Sequence, residues 1–267
     1  MFSTVRLVAA VATVAALAAP AGASATTCTY TPANDRVVLA LTAPAPNGFV
    51  TLSRQGNAIV AKNGPVTAAA QPCGAATVNN TERIVVTGTA QADHLIIETT
   101  NGRFEPGTTP EAGFSEIEIF VDLIAPAGQD TVEIVGTAQD DLLVAGRTNP
   151  GRQHVAVNND ADSDIQIDGR VNELTLRGLG GNDLLLGRGG FGVPNAYSDT
   201  LRLAGGAGAD ILFGSEGDDD LAGGPGADVF FAFAGVDRIN AQDGLGEVVD
   251  TGGGADNVLQ DATDTVL

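Results

Sequence analysis

The chain has no tryptophan, one lysine (Lys62), two histidines and two cysteines, and only 4% of its residues are aromatic. A globular core of this length would use more large rings. A thin solenoid filled by rows of Leu, Val and Ile needs few. Thirteen Lys and Arg stand against 33 Asp and Glu, for a net charge of −20. The clustered positive charge that nucleic acid requires is therefore missing. Catalytic signatures are missing too. His94 and His154 stand alone, outside any HExxH, and read as structural or surface histidines. There is no GxSxG, hence no nucleophile elbow, and no Walker-type phosphate loop. After residue 25 no amphipathic helical period appears, and no apolar run is long enough to span a membrane. No catalytic residue is assigned.

Residues 1–25 have the layout of a secretion signal. Arg6 gives the positive start, 7–19 the apolar stretch, and Ala23-Ser24-Ala25 a small-residue cleavage site. The apolar stretch is too short for a membrane anchor. The expected location is extracellular, by a general secretion route. In an exported chain the only two cysteines, Cys28 and Cys73, are expected to form one disulfide.

The chain is rich in glycine, with 35 residues, and from residue 205 to 267 it carries 13 carboxylates against one base, Arg238. Charges of one sign packed this closely repel unless cations neutralise them. The glycines and aspartates fall in register. Four consecutive blocks read GGAGADILF, GSEGDDDLA, GGPGADVFF and AFAGVDRIN, over residues 205–240. Position four is always glycine (Gly208, Gly217, Gly226, Gly235). Position six is always aspartate (Asp210, Asp219, Asp228, Asp237). Position eight is always apolar (Leu212, Leu221, Phe230, Ile239). A fixed period with fixed chemistry signals a repeat architecture. Calcium takes six to eight oxygen ligands, carboxylates and backbone carbonyls among them. A glycine-rich turn closed by an aspartate offers both. The three residues after each aspartate read as a short strand with position eight pointing inward.

These blocks resemble the GGxGxDxUx repeat of RTX, or hemolysin-type, calcium-binding proteins. The resemblance implies a parallel β-roll in which two blocks make one coil and Ca2+ sits between turns two blocks apart. It pairs Asp210 with Asp228 on one edge and Asp219 with Asp237 on the other. The metal-holding residues it implies are Asp183, Gly206, Gly208, Asp210, Gly217, Asp219, Gly224, Gly226, Asp228, Gly235, Asp237 and Asp256. The fourth block departs from the pattern, with Ala232 and Phe233 in place of the leading glycines. The wider layout is similar to that of small secreted calcium-binding proteins of actinobacterial type.

Weaker copies lie upstream. GTAQADHLI (88–96) and GTAQDDLLV (136–144) keep the aspartate, Asp93 or Asp141, but place Gln91 or Gln139 at position four. They read as coils that keep the strand and lose the metal turn. AGQDTVEI (127–134) offers Gly128 and Asp130, and GLGGNDLLL (178–186) fits at Gly181, Asp183 and Leu185. After Asn240 the pattern decays, and GGGADNVL (252–259) recovers it at Asp256. The expected fold is all-β: a right-handed parallel β-helix or β-roll solenoid preceded by a small disulfide-linked β-module. The expected division is a signal at 1–25, the module at 26–79, degenerate parallel coils at 80–177 and the calcium-binding roll at 178–267.

The function expected from these features is calcium binding, in a structural or surface-interaction role, with folding of the C-terminal repeats coupled to the ion. An extracellular polymer or a cell surface is the expected partner class. Two alternatives remain open: a cell-wall or matrix polymer-binding module, and a polysaccharide-active enzyme using carboxylates such as Glu98, Glu105, Glu111, Glu116 or Glu118.

Overall fold

The computed structural model describes residues 26–41, 49–64, 67–108, 116–123, 130–148, 152–160, 162–169 and 171–267. The segment expected to be a signal, 1–25, together with Glu111 and Gly128, lies outside them. The described chain is all-β apart from one 3-10 turn, Pro32–Asn34. No helix among the described residues is long and apolar enough to cross a membrane.

Strands fall into two sheets, of twelve and ten strands. The ten-stranded sheet opens with an antiparallel meander, Ala70–Thr77, Ala58–Asn63 and Val50–Gln55. It then runs wholly parallel through His94–Glu98, Thr131–Val135, Glu173–Gly180, Leu201–Ala207, Asp220–Ala222, Arg238–Asn240 and Asn257–Leu259. The twelve-stranded sheet opens with the antiparallel pair Thr27–Thr31 and Arg36–Ala40. Parallel strands Arg83–Thr87, Glu118–Asp122 and Ile165–Asp168 follow. Later it stacks Leu142–Arg147, Leu184–Leu186, Ile211–Phe213, Val229–Phe231, Val248–Asp250 and Thr265–Val266, again in parallel.

From Glu173–Gly180 onward successive strands alternate between the sheets, so each pair forms one coil. In the C-terminal coils the strands are three residues long, with only the middle residue buried, as in Leu184–Leu186, Asp220–Ala222 and Val229–Phe231. Stacking in register turns these middle residues into rows. One row runs Leu52, Ile97, Ile134, Leu176, Leu203, Leu221 and Ile239, each at most 1% exposed. The facing row holds Leu185, Leu212, Phe230 and Val249. A single hydrophobic cluster extends from Val37 to Val249. Rows of aliphatic side chains fill so narrow a space, which is why the chain manages with few rings.

Two features depart from uniform parallel coils. Arg152–Ala156 is antiparallel to both its neighbours, Leu142–Arg147 and Ile165–Asp168. Only four residues separate Arg147 from Arg152. A parallel connection needs a crossover of a dozen residues or more, so this short link makes a hairpin. The second is at the N-terminal end. Both sheets continue without a break from residues 27–77 into the solenoid, through Arg36–Ala40 beside Arg83–Thr87 and Val50–Gln55 beside His94–Glu98. The Cys28–Cys73 disulfide, with Cα atoms 4.7 Å apart, joins the outermost strand of one sheet to that of the other. Terminal coils that differ from the rest are how solenoids close an exposed end.

Candidate metal centre

Each position-six aspartate lies just before a strand, where the turn enters a sheet. Its carboxylate reaches the backbone of the coil before it on the same edge. Asp210 N donates to Asp228 Oδ1 at 2.8 Å, and Asp183 N to Asp210 Oδ1 at 2.7 Å. Asp141 N donates to Asp183 Oδ1 at 2.7 Å. On the other edge Asp219 N donates to Asp237 Oδ1 at 2.9 Å, and Asp237 N to Asp256 Oδ1 at 2.9 Å. The structure thus stacks Asp183, Asp210 and Asp228 in one ladder and Asp219, Asp237 and Asp256 in the other.

One oxygen of each carboxylate is used in this way. The second oxygen separates the turns into two kinds. In Asp183, Asp210, Asp228 and Asp237 it is buried and has no hydrogen-bond partner. These four residues are at most 2% exposed. A buried, unpaired carboxylate oxygen is costly, and a cation is the partner that a run of them implies. In the GTAQ turns the same oxygen is already satisfied. Thr89 N donates to Asp93 Oδ2 and Thr137 N to Asp141 Oδ2, both at 2.6 Å, with the threonine hydroxyls adding further bonds. Asp219 belongs with this second kind, because the Ser215 amide and hydroxyl both donate to it. Ser215 at position two, in place of glycine, is the sequence signal for it.

Glycine at position one has a steric role that the period alone does not reveal. A Cβ built on Gly178, Gly205 or Gly223 would stand 1.9, 2.2 or 2.0 Å from Oδ2 of Asp183, Asp210 or Asp228. The unpaired oxygen fills the space that a side chain would need. At position four, Gly208 has φ +135°, and its Cβ would stand 1.7 Å from the Gly181 carbonyl. Successive turns therefore stack backbone on carbonyl, leaving an oxygen-rich surface beside the carboxylates. The fourth block keeps this turn without its leading glycines. Phe233 takes a left-handed φ of 75°, as Leu179 does at 83° in the earlier block. That conformation costs about 1–2 kcal/mol. Packing offsets it: the Phe233 ring lies 6.4 Å from Phe231, and Arg188 sits 4.2 Å over its face.

The electrostatics agree with the geometry. Burial pushes the Asp183 and Asp219 carboxyls up to about 7, against the partial relief of backbone hydrogen bonds. It pushes Asp228 and Asp237 up to about 6, and Asp210 also upward. Neighbouring aspartates raise them further, Asp210 acting on Asp228 and Asp256 on Asp237.

The remaining glycines of the implied set lie in the same turns. Gly206 and Gly224 occupy position two with left-handed φ, and Gly226 and Gly235 position four, each against a carbonyl of an adjacent coil. Gly217 lies against the Asp199 and Ser198 carbonyls without a left-handed φ. Asp256 is only half-buried.

The period hid another acidic group. Carboxylate oxygens of Asp243, Glu247 and Asp261 lie within 4.8 Å of one another. Glu247 is 2% exposed, both its carboxylate oxygens lack partners, and burial with Asp264 nearby pushes it up to about 7. Val248 N donates to Asp228 O at 3.0 Å, as Val229 N does to Asp210 O, so Glu247 stands where the ladder expects aspartate. It follows Asp237 by ten residues instead of nine. The extra residue and the change from Asp to Glu together masked the coil.

Two of the carboxylates considered for glycan chemistry are buried. Glu98 is buried and paired with Lys62 at 2.7 Å. Glu116 is buried in an acidic cluster that pushes it up to about 10, chiefly through desolvation and Asp164. Glu105 and Glu118 are half-buried. His94 Nδ1 is 2.7 Å from the Thr131 hydroxyl, and His154 bridges the Thr148 and Ser163 hydroxyls, so both histidines are held within the fold.

Residues 175–193, 202–230 and 213–244 match the RTX calcium-binding nonapeptide repeat, in four copies. Comparison with curated proteins and with solved structures gives no match. Stacked turns, unpaired buried carboxylate oxygens and this match agree: residues 175–244 carry RTX-type calcium-binding nonapeptide repeats, and Ca2+ is the ion those repeats take.

Proposed function

We propose that this is an exported protein whose calcium-loaded β-roll serves a structural or surface-interaction role, toward an extracellular polymer or a cell surface. Folding of residues 178–267 is coupled to the ion. Residues 26–79 cap the solenoid, and residues 80–177 form degenerate coils whose GTAQ turns at Asp93 and Asp141 are closed by threonine and hold no ion. The unpaired Oδ2 atoms of Asp183, Asp210, Asp228 and Asp237 carry this reading. Their turns would hold the ion with these carboxylates and the backbone carbonyls that the position-two and position-four glycines let approach. Asp219 and Asp256 would contribute on the second edge, where Ser215 already satisfies part of the demand. Glu247 with Asp243 and Asp261 extends the first edge by one coil. Extracellular calcium modules bind at about 10⁻⁴–10⁻³ M, and this site is expected in that range.

Hydrogen exchange of the full chain, in chelator and in millimolar calcium, tests the reading. Protection over residues 205–260 should appear with calcium, while strands such as Arg83–Thr87 and Thr131–Val135 stay protected in both conditions. Equal protection of residues 205–260 in the two conditions would refute it.

A further inference from the structure

A second acidic cluster lies outside the matched repeats. Carboxylate oxygens of Glu116, Asp160 and Asp162 stand within 4.8 Å of one another. Glu116 comes just before strand Glu118–Asp122. Asp160 and Asp162 belong to the loop that joins the hairpin strand Arg152–Ala156 to Ile165–Asp168. That strand lies in parallel beside Glu118–Asp122, so loop and carboxylate meet where two neighbouring strands begin.

Hydrogen bonds shape the loop around this point. Asn158 Nδ2 donates to Glu116 Oε2 at 2.7 Å and to Asp164 Oδ1 at 2.9 Å. Val157 N donates to Asp164 Oδ2 at 2.6 Å, and Asp160 N to Asn158 Oδ1 at 2.8 Å. These bonds leave one atom over. Glu116 is 3% exposed, and its Oε1 is buried without a hydrogen-bond partner. The cavity that Glu116 helps to line is mostly apolar, with Ile97, Phe104, Ile119 and Ile165, which offer no donor. Arg103 lines it as well but does not bond Oε1.

We propose that Glu116, Asp160 and Asp162 bind a further calcium ion, independent of the nonapeptide turns, which ties the loop at 157–164 to the adjoining coil. Calcium–oxygen distances of about 2.3–2.6 Å put two ligands of one ion at most about 5 Å apart, and the three carboxylates satisfy that limit. Asp160, Asp162 and Asp164 alternate along the loop; Asp164, also beside Glu116, accepts from Asn158 and Val157, and oxygens of the other two lie within 4.8 Å of Glu116. The site lies outside the matched repeats, in the part of the solenoid where threonine closes the Asp93 and Asp141 turns.

The test counts calcium ions per full-length chain by native mass spectrometry across a calcium titration. Asp162→Asn removes an exposed ligand and leaves the core alone. Glu116→Gln keeps the shape of the buried side chain. Each should lower the saturating count by one, and Asp228→Asn combined with Asp162→Asn should lower it further than either change alone. If Asp162→Asn and Glu116→Gln both retain the wild-type count and midpoint, the site does not exist. Should Glu116→Gln fail to fold, the count for Asp162→Asn decides. A loss in Asp228→Asn alone would leave the repeat sites standing and overturn only this one.

Discussion

Asp228→Asn should change stability in opposite directions with and without calcium. The side chain keeps its size, and an amide oxygen can still accept from Asp210 N, a bond of 2.8 Å in the wild type. What disappears is the charge. In chelator the folded turn holds a carboxyl pushed from 3.8 up to about 6, mainly by burial. Keeping it ionised at neutral pH costs the fold about 3 kcal/mol. Water at the turn surface screens part of this, so about half is the reasonable figure. Removing the charge should therefore stabilise the calcium-free roll by about 1–2 kcal/mol, roughly a five- to thirtyfold rise in the folded-to-open ratio. In calcium the same change removes a ligand. A site saturated at a hundredfold over its dissociation constant contributes about 2.7 kcal/mol, and the variant should lose most of it. Hydrogen exchange over residues 205–240 at neutral pH reads both values. A shift of the same sign in chelator and in calcium would show that the carboxylate is a structural hydrogen-bond acceptor and not a metal ligand.

Three further expectations follow from the same turns and from the cap. In chelator the roll should lose stability as pH rises. Carboxyls whose folded values are raised, to about 7 for Asp183, Asp219 and Glu247 and about 6 for Asp228 and Asp237, favour the fold while protonated and oppose it once ionised. The loss should spread from about pH 4 to 7, and calcium affinity should rise over the same window because the ion competes with protons; a chelated roll that gains stability across it would contradict this. Gly208→Ala, whose Cβ would meet the Gly181 carbonyl at 1.7 Å, should cost about 2–4 kcal/mol in calcium. Gly244→Ala, with open space around it, should cost about 1 kcal/mol from its φ of 88° alone; thermal melts showing equal losses would refute the stacking argument. Replacing Cys28 and Cys73 by serine opens a bridge across a sequence separation of 45. The loss should be about 4 kcal/mol, confined to the N-terminal strands, and calorimetry should find calcium binding in the repeats unchanged.

The sequence by itself determined the repeat and its ion. Glycine at position four and aspartate at position six recur every nine residues, and nine residues are one turn and one strand, so the coil and its inward row were legible. The pairing of Asp210 with Asp228 and of Asp219 with Asp237 came from the resemblance to RTX repeats, and the stacked coils place them so. The loss of metal turns in the GTAQ blocks was legible too, from the missing glycines. Its cause was not, because it lies in a hydrogen bond from Thr89 or Thr137 that only the folded turn makes. The tertiary structure decided what distance in the chain conceals. Asp219 looks like its neighbours in the period but is satisfied by Ser215, and Glu247 looks unlike them but stands in their ladder. Glu116 and Asp162 are 46 positions apart and meet only because a hairpin interrupts the parallel coils. A local period is written in the chain because each turn is built from adjacent residues. Which carboxylate oxygens end up buried without a donor depends on the coil stacked against them, and stacking is decided only when the whole solenoid closes.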